Sequence, residues 1–202
     1  MLGFLDREKL SDNTLVVFVV DNGYVQLPGI NWFDKRSKLS PHEAGLRTPI
    51  LLRWPGKIKP ARFDTPVHTI DLVPTTLAAC GIDPPDALPG INLLKICDGQ
   101  PPHRDAIFGA TFRHKPTTGI KPTKPDNTVD YRWCLAGRWK LIVPRAANAP
   151  PQLFDLVADP HEKNDLATKH PDRVSELKTK IDHWWSPKVE SNEETASAVV
   201  NP

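Results

Sequence analysis

The apolar positions of the chain change their spacing several times, and each change predicts an element. Leu15, Val16, Val17, Phe18, Val19 and Val20 form an unbroken apolar run rich in β-branched side chains. Such a run suits a strand covered on both faces, as in the parallel sheet of an α/β protein; a half-exposed strand would alternate. A shorter run, Ile50-Leu51-Leu52, follows Pro49 and closes on Arg53-Trp54-Pro55-Gly56. Between the two runs, residues 38–49 are polar and follow neither a helical nor a strand period, which predicts a loop shaped for geometry rather than for burial.

The pattern divides around Asp98-Gly99-Gln100-Pro101-Pro102. Upstream the order is strand, loop, strand, helix, as expected at the edge of a larger α/β sheet. Downstream, residues 106–110, 131–136, 139–143 and 152–156 read as four short strands of an antiparallel sheet, the middle two turning at Gly137-Arg138. A final helix from about Asp172 to Trp185 carries Val174, Leu177, Ile181 and Trp184 or Trp185 on one stripe. The expectation is therefore two parts, 1–100 and 101–202, with a loose polar tail from Ser186 on. At the start, Leu2, Phe4, Leu5 and Leu10 hint at an amphipathic helix ended by Ser11-Asp12-Asn13.

The first run ends on Asp21-Asn22-Gly23, which has two readings. In open α/β sheets ligands gather beyond the carboxyl ends of the strands, and a carboxylate beside an amide carbonyl offers the hard oxygens that Ca2+ or Mg2+ prefers. Asn-Gly after valines and before Tyr24-Val25 is also a strong signal for a β-hairpin. Neither is decided by this segment alone.

Composition narrows the function classes. With 202 residues, 39% hydrophobic and 25% charged, the chain can bury a real core. A net charge of +2 is too small to argue for nucleic acid or an acidic membrane surface. No apolar run approaches the length of a membrane span, and no basic start with an apolar core marks a signal peptide. The 22 prolines, about double the usual share, mark long ordered loops, because glycine plus proline stays below the level of a disordered chain. Cys80, Cys97 and Cys134 have no metal-ligand spacing and cannot all pair, which argues against a disulfide framework.

Taken in order, Asp21-Asn22-Gly23, the stretch Lys38-Leu39-Ser40-Pro41-His42-Glu43-Ala44-Gly45-Leu46-Arg47-Thr48-Pro49 and Arg53-Trp54-Pro55-Gly56 resemble the sulfatases of the alkaline-phosphatase-like superfamily. Members carry Asp-Asn-Gly after a buried strand, then Lys-x-Ser-x-x-Glu-x-Gly-x-Arg-x-Pro leading into a second strand. The resemblance continues through Ile70-Asp71-Leu72-Val73-Pro74-Thr75-Thr76-Leu77, Cys80-Gly81-Ile82 and Gly90-Ile91-Asn92-Leu93-Leu94. It returns in Arg138-Trp139-Lys140-Leu141-Ile142 and in the stretch 153–167, which contains Asp159-Pro160-His161-Glu162. It thus covers nearly the whole chain.

The resemblance implies an α/β fold: part of an alkaline-phosphatase-like sheet, the edge of the sulfatase core, in residues 1–100, and a small C-terminal subdomain of antiparallel sheet and helix in 101–202. It implies hydrolysis of sulfate esters of small molecules or carbohydrates. Asp21 and Asn22 are then two ligands of a divalent cation, usually calcium, and Lys38 touches the sulfate. An ammonium and a metal ion are what such an ester needs as charge builds on its bridging oxygen. Glu43 and Arg47 read as a salt bridge bracing the loop. Phe112-Arg113-His114-Lys115 lies where the family lends a loop to the pocket rim, so His114 is a candidate substrate contact; a solvated basic loop is the competing reading. His42, inside the motif, receives no role, and His68 and His161 read as structural or exposed.

One family element is not found in these residues: a strand ending in paired aspartates followed by Cys/Ser-x-Pro-x-Arg, whose Cys or Ser becomes the formylglycine nucleophile. Cys134-Leu135-Ala136-Gly137-Arg138 has the Cys and Arg spacing but places Ala where Pro is usual. The expectation is a C-terminal portion that is inactive alone. A phosphonate or phosphate monoester hydrolase of the same superfamily is the enzymatic alternative, and a non-catalytic binding module the other. An open sheet edge at residues 15–20 predicts self-association as a means of covering it. Cellular location is left open.

Overall fold

A computed structural model describes residues 1–29, 32–101, 104–112, 128–146 and 148–187. In chain order these form α1 (Leu2–Arg7), β1 (Val16–Val19), α2 (Glu43–Leu46), β2 (Ile50–Arg53), α3 (Leu72–Ala79), α4 (Leu93–Cys97), β3 (Ile107–Phe112), β4 (Val129–Ala136), β5 (Trp139–Pro144), β6 (Gln152–Asp155) and α5 (Pro171–Trp184), with 3-10 turns at Ser11–Asn13 and Thr69–Asp71. They group into two units: Met1–Gly23 with Arg47–Ile107, and Tyr24–Leu46 with the described residues from Phe108 on. Among the described residues no helix is long and apolar enough to cross a membrane.

In the first unit β1 pairs antiparallel with β2, Phe18 opposite Leu51 and Val19 opposite Ile50. One of the two readings of Asn22-Gly23 drops out here, and one expectation changes. The Asn22-Gly23 hairpin does not form, because the partner of β1 arrives only at Ile50. Nor is β1 covered on both faces: Phe18 is 54% and Leu51 57% exposed. Residues directly opposite in an antiparallel pair share a face, so these two stand together on a face that no layer of the described residues covers.

The same unit is organised around a buried carboxylate. Asp71, fully buried, accepts the His68 N–H at 2.8 Å and the Ile91 N–H at 3.0 Å. The Arg104 guanidinium engages both carboxylate oxygens, one through Nη1 at 3.1 Å and the other through Nη2. A buried carboxylate needs such pairing to remain charged. Thr75 extends the network: its hydroxyl donates to the Asp71 carbonyl at 2.6 Å and accepts the Leu93 N–H at 2.8 Å. Gly90 permits the approach, since a Cβ there would overlap the Ile70 carbonyl.

The second unit holds a four-stranded sheet in the order β3-β4-β5-β6, with β4, β5 and β6 antiparallel. Gly137, at φ +57°, makes the turn between β4 and β5 where a side chain would be strained. The expected strands all appear, and α5 begins one residue before its expected start.

Register explains why β5 reads as a continuous apolar run. Cys134, Leu141 and Leu153 stand opposite one another on one face. All three are fully buried, and α5 packs on β4 and β5 with Leu177 and Ile181 fully buried. The other face carries Trp133, Lys140, Ile142 and Phe154. It is covered by segment 34–46 of the same unit, where the His42 ring lies 6.1 Å from that of Phe154 and the Arg36 guanidinium 5.7 Å.

Candidate functional site

Asp21 and Asn22 sit just past β1. The strand end is held by Thr48, whose hydroxyl donates to the Val20 carbonyl at 2.9 Å. Asp21 Oδ1 accepts the Asn22 N–H at 2.9 Å, and the Asn22 side-chain amide donates to the Gly23 carbonyl at 2.9 Å. Asp21 Oδ2 and Asn22 Oδ1 make no hydrogen bond among the described residues, and Asp21 is exposed. This pair fits a hard divalent cation in donor type but not in number. Calcium takes about six to eight oxygens, and among the described residues no three His, Cys, Asp or Glu side chains gather into a metal-binding group.

Lys38 belongs to the second unit, in a segment built with more care than its polar sequence suggests. Ser37, fully buried, donates its hydroxyl to the Asp34 carbonyl at 3.0 Å and accepts the Val25 N–H at 3.2 Å. Asp34 Oδ1 accepts the Arg36 N–H at 2.7 Å. Gly45 packs against this turn so closely that a Cβ would overlap the Ser37 carbonyl and come within 2.9 Å of the Ser40 carbonyl. Leu39, next to Lys38, holds φ +68°, a left-handed conformation uncommon for a branched residue. Lys38 itself is half-buried, and its ammonium has no hydrogen bond or ion pair among the described residues.

The expected brace between Glu43 and Arg47 gives way to a different cation. Lys140, fully buried on β5, places Nζ 2.8 Å from Glu43 Oε1 and 2.9 Å from Glu162 Oε1, and 5.7 Å from the centre of the Trp133 ring. Glu162 is 1% exposed. Its Oε2 accepts the Glu43 N–H at 2.9 Å, and its carbonyl accepts from Arg36 Nη2. Sequence reasoning gave Lys140, Glu162 and Arg36 no role. The signal available was a lysine inside Trp139-Lys140-Leu141-Ile142-Val143, since a lysine with apolar neighbours on both faces requires a buried partner.

His42 packs in the same region. Burial, with the positive charges of Arg36 and Lys140 nearby, lowers its pKa to about 4, so the ring is neutral near pH 7. Its Nδ1 lies 3.2 Å from the Ser40 hydroxyl. Cys134 is fully buried, and burial pushes its thiol up to about 12. A thiol so placed stays protonated and shielded, which makes it a core side chain and no nucleophile. All three cysteines are free thiols. His114, with Arg113 and Lys115, lies outside the described residues. Of the remaining candidates, Asp21 and Asn22 are adjacent in the first unit and Lys38 is in the second.

Residues 29–185 match the family model described as N-sulphoglucosamine sulphohydrolase, C-terminal. The chain is 31% identical to the N-acetylgalactosamine-6-O-sulfatase of Bacteroides thetaiotaomicron over 88% of this chain and 37% of that protein. It is 28% identical to arylsulfatase K of Mus musculus over 88% and 31%. Among solved structures it resembles a phosphonate monoester hydrolase from Silicibacter pomeroyi, with a TM-score of 0.70, 26% identity and coverage of 91% and 37%. The chain spans about a third of the length of these relatives.

Proposed function

Because the chain belongs to the sulfatase family through its N-sulphoglucosamine sulphohydrolase C-terminal region, we propose that it is the C-terminal portion of a sulfuric ester hydrolase that acts on sulfated carbohydrates. The observation that carries this reading is Lys38: a half-buried lysine, unpaired among the described residues, on a segment anchored on either side of it by the Arg36 side chain and the Glu43 N–H. Such a cation meets the oxygens of a sulfate group without first breaking an ion pair of its own. Asp21 Oδ2 and Asn22 Oδ1 supply part of a divalent-cation site, calcium or magnesium, completed by groups beyond those described. When bound, that cation offsets the negative charge of the sulfate. The carbohydrate class follows the N-acetylgalactosamine-6-O-sulfatase relative. The nucleophile is assigned to residues other than these, and the chain alone is inactive.

A second reading within the same fold is a phosphonate monoester hydrolase, favoured by the structural likeness to such an enzyme. The two separate on fusing this chain behind a sulfatase segment bearing the paired-aspartate strand and the Cys/Ser-x-Pro-x-Arg stretch, then assaying 4-nitrophenyl sulfate against a 4-nitrophenyl phosphonate ester. The sulfate reading expects turnover of the sulfate ester and, in Lys38→Ala, a loss of about 10²–10³-fold in kcat. Asp21→Ala should lower activity and weaken its dependence on calcium. Turnover of the phosphonate ester alone would select the second reading. A well-folded fusion that is inactive on both would return the chain to a binding module, and one that is active but indifferent to Lys38→Ala would remove Lys38 as the sulfate contact.

A further inference from the structure

Three sequence stretches, 38–49, 138–142 and 153–167, deliver Glu43, Lys140 and Glu162 to one buried cluster that the proposed chemistry does not use. We propose that this cluster, with Arg36 at its rim, is the positioning device for Lys38: it locks segment 34–46 onto β5 and keeps the Lys38 ammonium free for an external anion. The inference rests on Lys38 being the sulfate contact.

The first support is the placement of the tethers. Arg36 precedes Lys38 and Glu43 follows it, and both are pinned to Glu162. Arg36 Nη2 donates to the Glu162 carbonyl, and the Glu43 N–H donates to Glu162 Oε2 at 2.9 Å. Glu43 is bound a second time through Lys140 Nζ. The segment carrying Lys38 is therefore clamped at both ends by one residue, more than a hundred positions downstream, with a separation of 126 for Arg36 and 119 for Glu43.

The second support is charge. Lys140 and Arg36 face Glu43 and Glu162, so two cations answer two carboxylates. With both acids engaged, neither has a reason to turn to Lys38, which stands five positions upstream of Glu43. Were Lys140 removed, Glu43 would lose its cation, and Lys38, five positions upstream, would be a natural partner for it.

The third is cost. Burying Lys140 fully and Glu162 almost fully requires a desolvation that hydrophobic side chains of similar size would avoid, so a cluster of this kind is better explained by the geometry it fixes than by net stability. Glu162 also holds φ +55°. A non-glycine residue stays in the left-handed region only where its surroundings over-determine it.

The test compares the full chain with Glu43→Gln and Lys140→Met. Hydrogen exchange is read in peptides covering 34–46 and α5, and the rate of N-hydroxysuccinimide acetylation at Lys38 is read with and without inorganic sulfate. Glu43→Gln is the milder change because Glu43 keeps 16% exposure, and it serves if Lys140→Met fails to fold. The lock predicts roughly tenfold faster exchange in 34–46 with α5 unchanged, together with loss of sulfate protection at Lys38. Unchanged exchange and unchanged sulfate protection in a folded variant would overturn it. Sulfate that fails to slow labelling of Lys38 even in the unaltered chain would overturn the sulfate reading instead, while the exchange data still decide whether the lock exists.

Discussion

The two sheets differ in how far they complete themselves. In the second unit, Leu141, Ile142 and Leu153 are fully buried between α5 on one face and segment 34–46 on the other. In the first, the pair Phe18 and Leu51 remains more than half exposed on a two-stranded sheet. The candidate residues are divided between the two units. Lys38 is carried by a segment braced within its own unit through Ser37, Gly45 and Glu162. Asp21 and Asn22 follow a strand that presents apolar surface to solvent. The lysine is therefore preorganised by its own unit, whereas the Asp21 and Asn22 oxygens, proposed as cation ligands, would need further groups to form a cation site.

If that contrast is right, substitutions in the two regions should differ greatly in cost. Lys140→Met leaves Glu43 and Glu162 without their shared cation and should destabilise the chain by about 3–5 kcal/mol, read as a lower urea midpoint. Equal tolerance of Lys140→Met and of a β1 substitution would break the comparison.

A smaller effect concerns pH. His42 has a folded pKa of about 4, below its ordinary 6.5, because burial and two neighbouring cations disfavour the charged ring. Protonation therefore favours the unfolded chain. The His42 contribution should be complete above about pH 6.5 and lost progressively as pH falls from there toward 4. His42→Gln should flatten that limb of the stability curve; an unchanged limb would remove His42 as its cause.

The smallest stability effect is expected at Phe18. Its exposure predicts a change within about 0.5 kcal/mol for Phe18→Ser. The same variant should reduce self-association in sedimentation, because it removes the apolar group beside an open strand edge. A cost of several kcal/mol would mean that this face is covered.

How much of this could be read from the sequence depended on how local the cause was. The four strands of the second unit and α5 follow from local periodicity and the Gly137 turn, and their positions came through with shifts of a residue or two. Lys38 stands out as a candidate because it lies in a compact motif, residues 38–49. What could not be read were relations between distant positions. The apolar run at 15–20 gave no sign that its partner would be Ile50–Arg53 and antiparallel. Nothing local joins Lys140 to Glu43, 97 positions away, whereas Arg47 stands only four positions from Glu43. Asp71 is visible only as part of the stretch Ile70 to Leu77, because its partner Arg104 stands 33 positions on.

The most direct test of the central claim is to titrate inorganic sulfate into the chain and follow backbone amide resonances, with Lys38→Met alongside. The account predicts saturable shifts at Lys38, Leu39 and their neighbours in segment 34–46, lost in the variant. Shifts that persist in Lys38→Met, or that gather elsewhere in the chain, would contradict it.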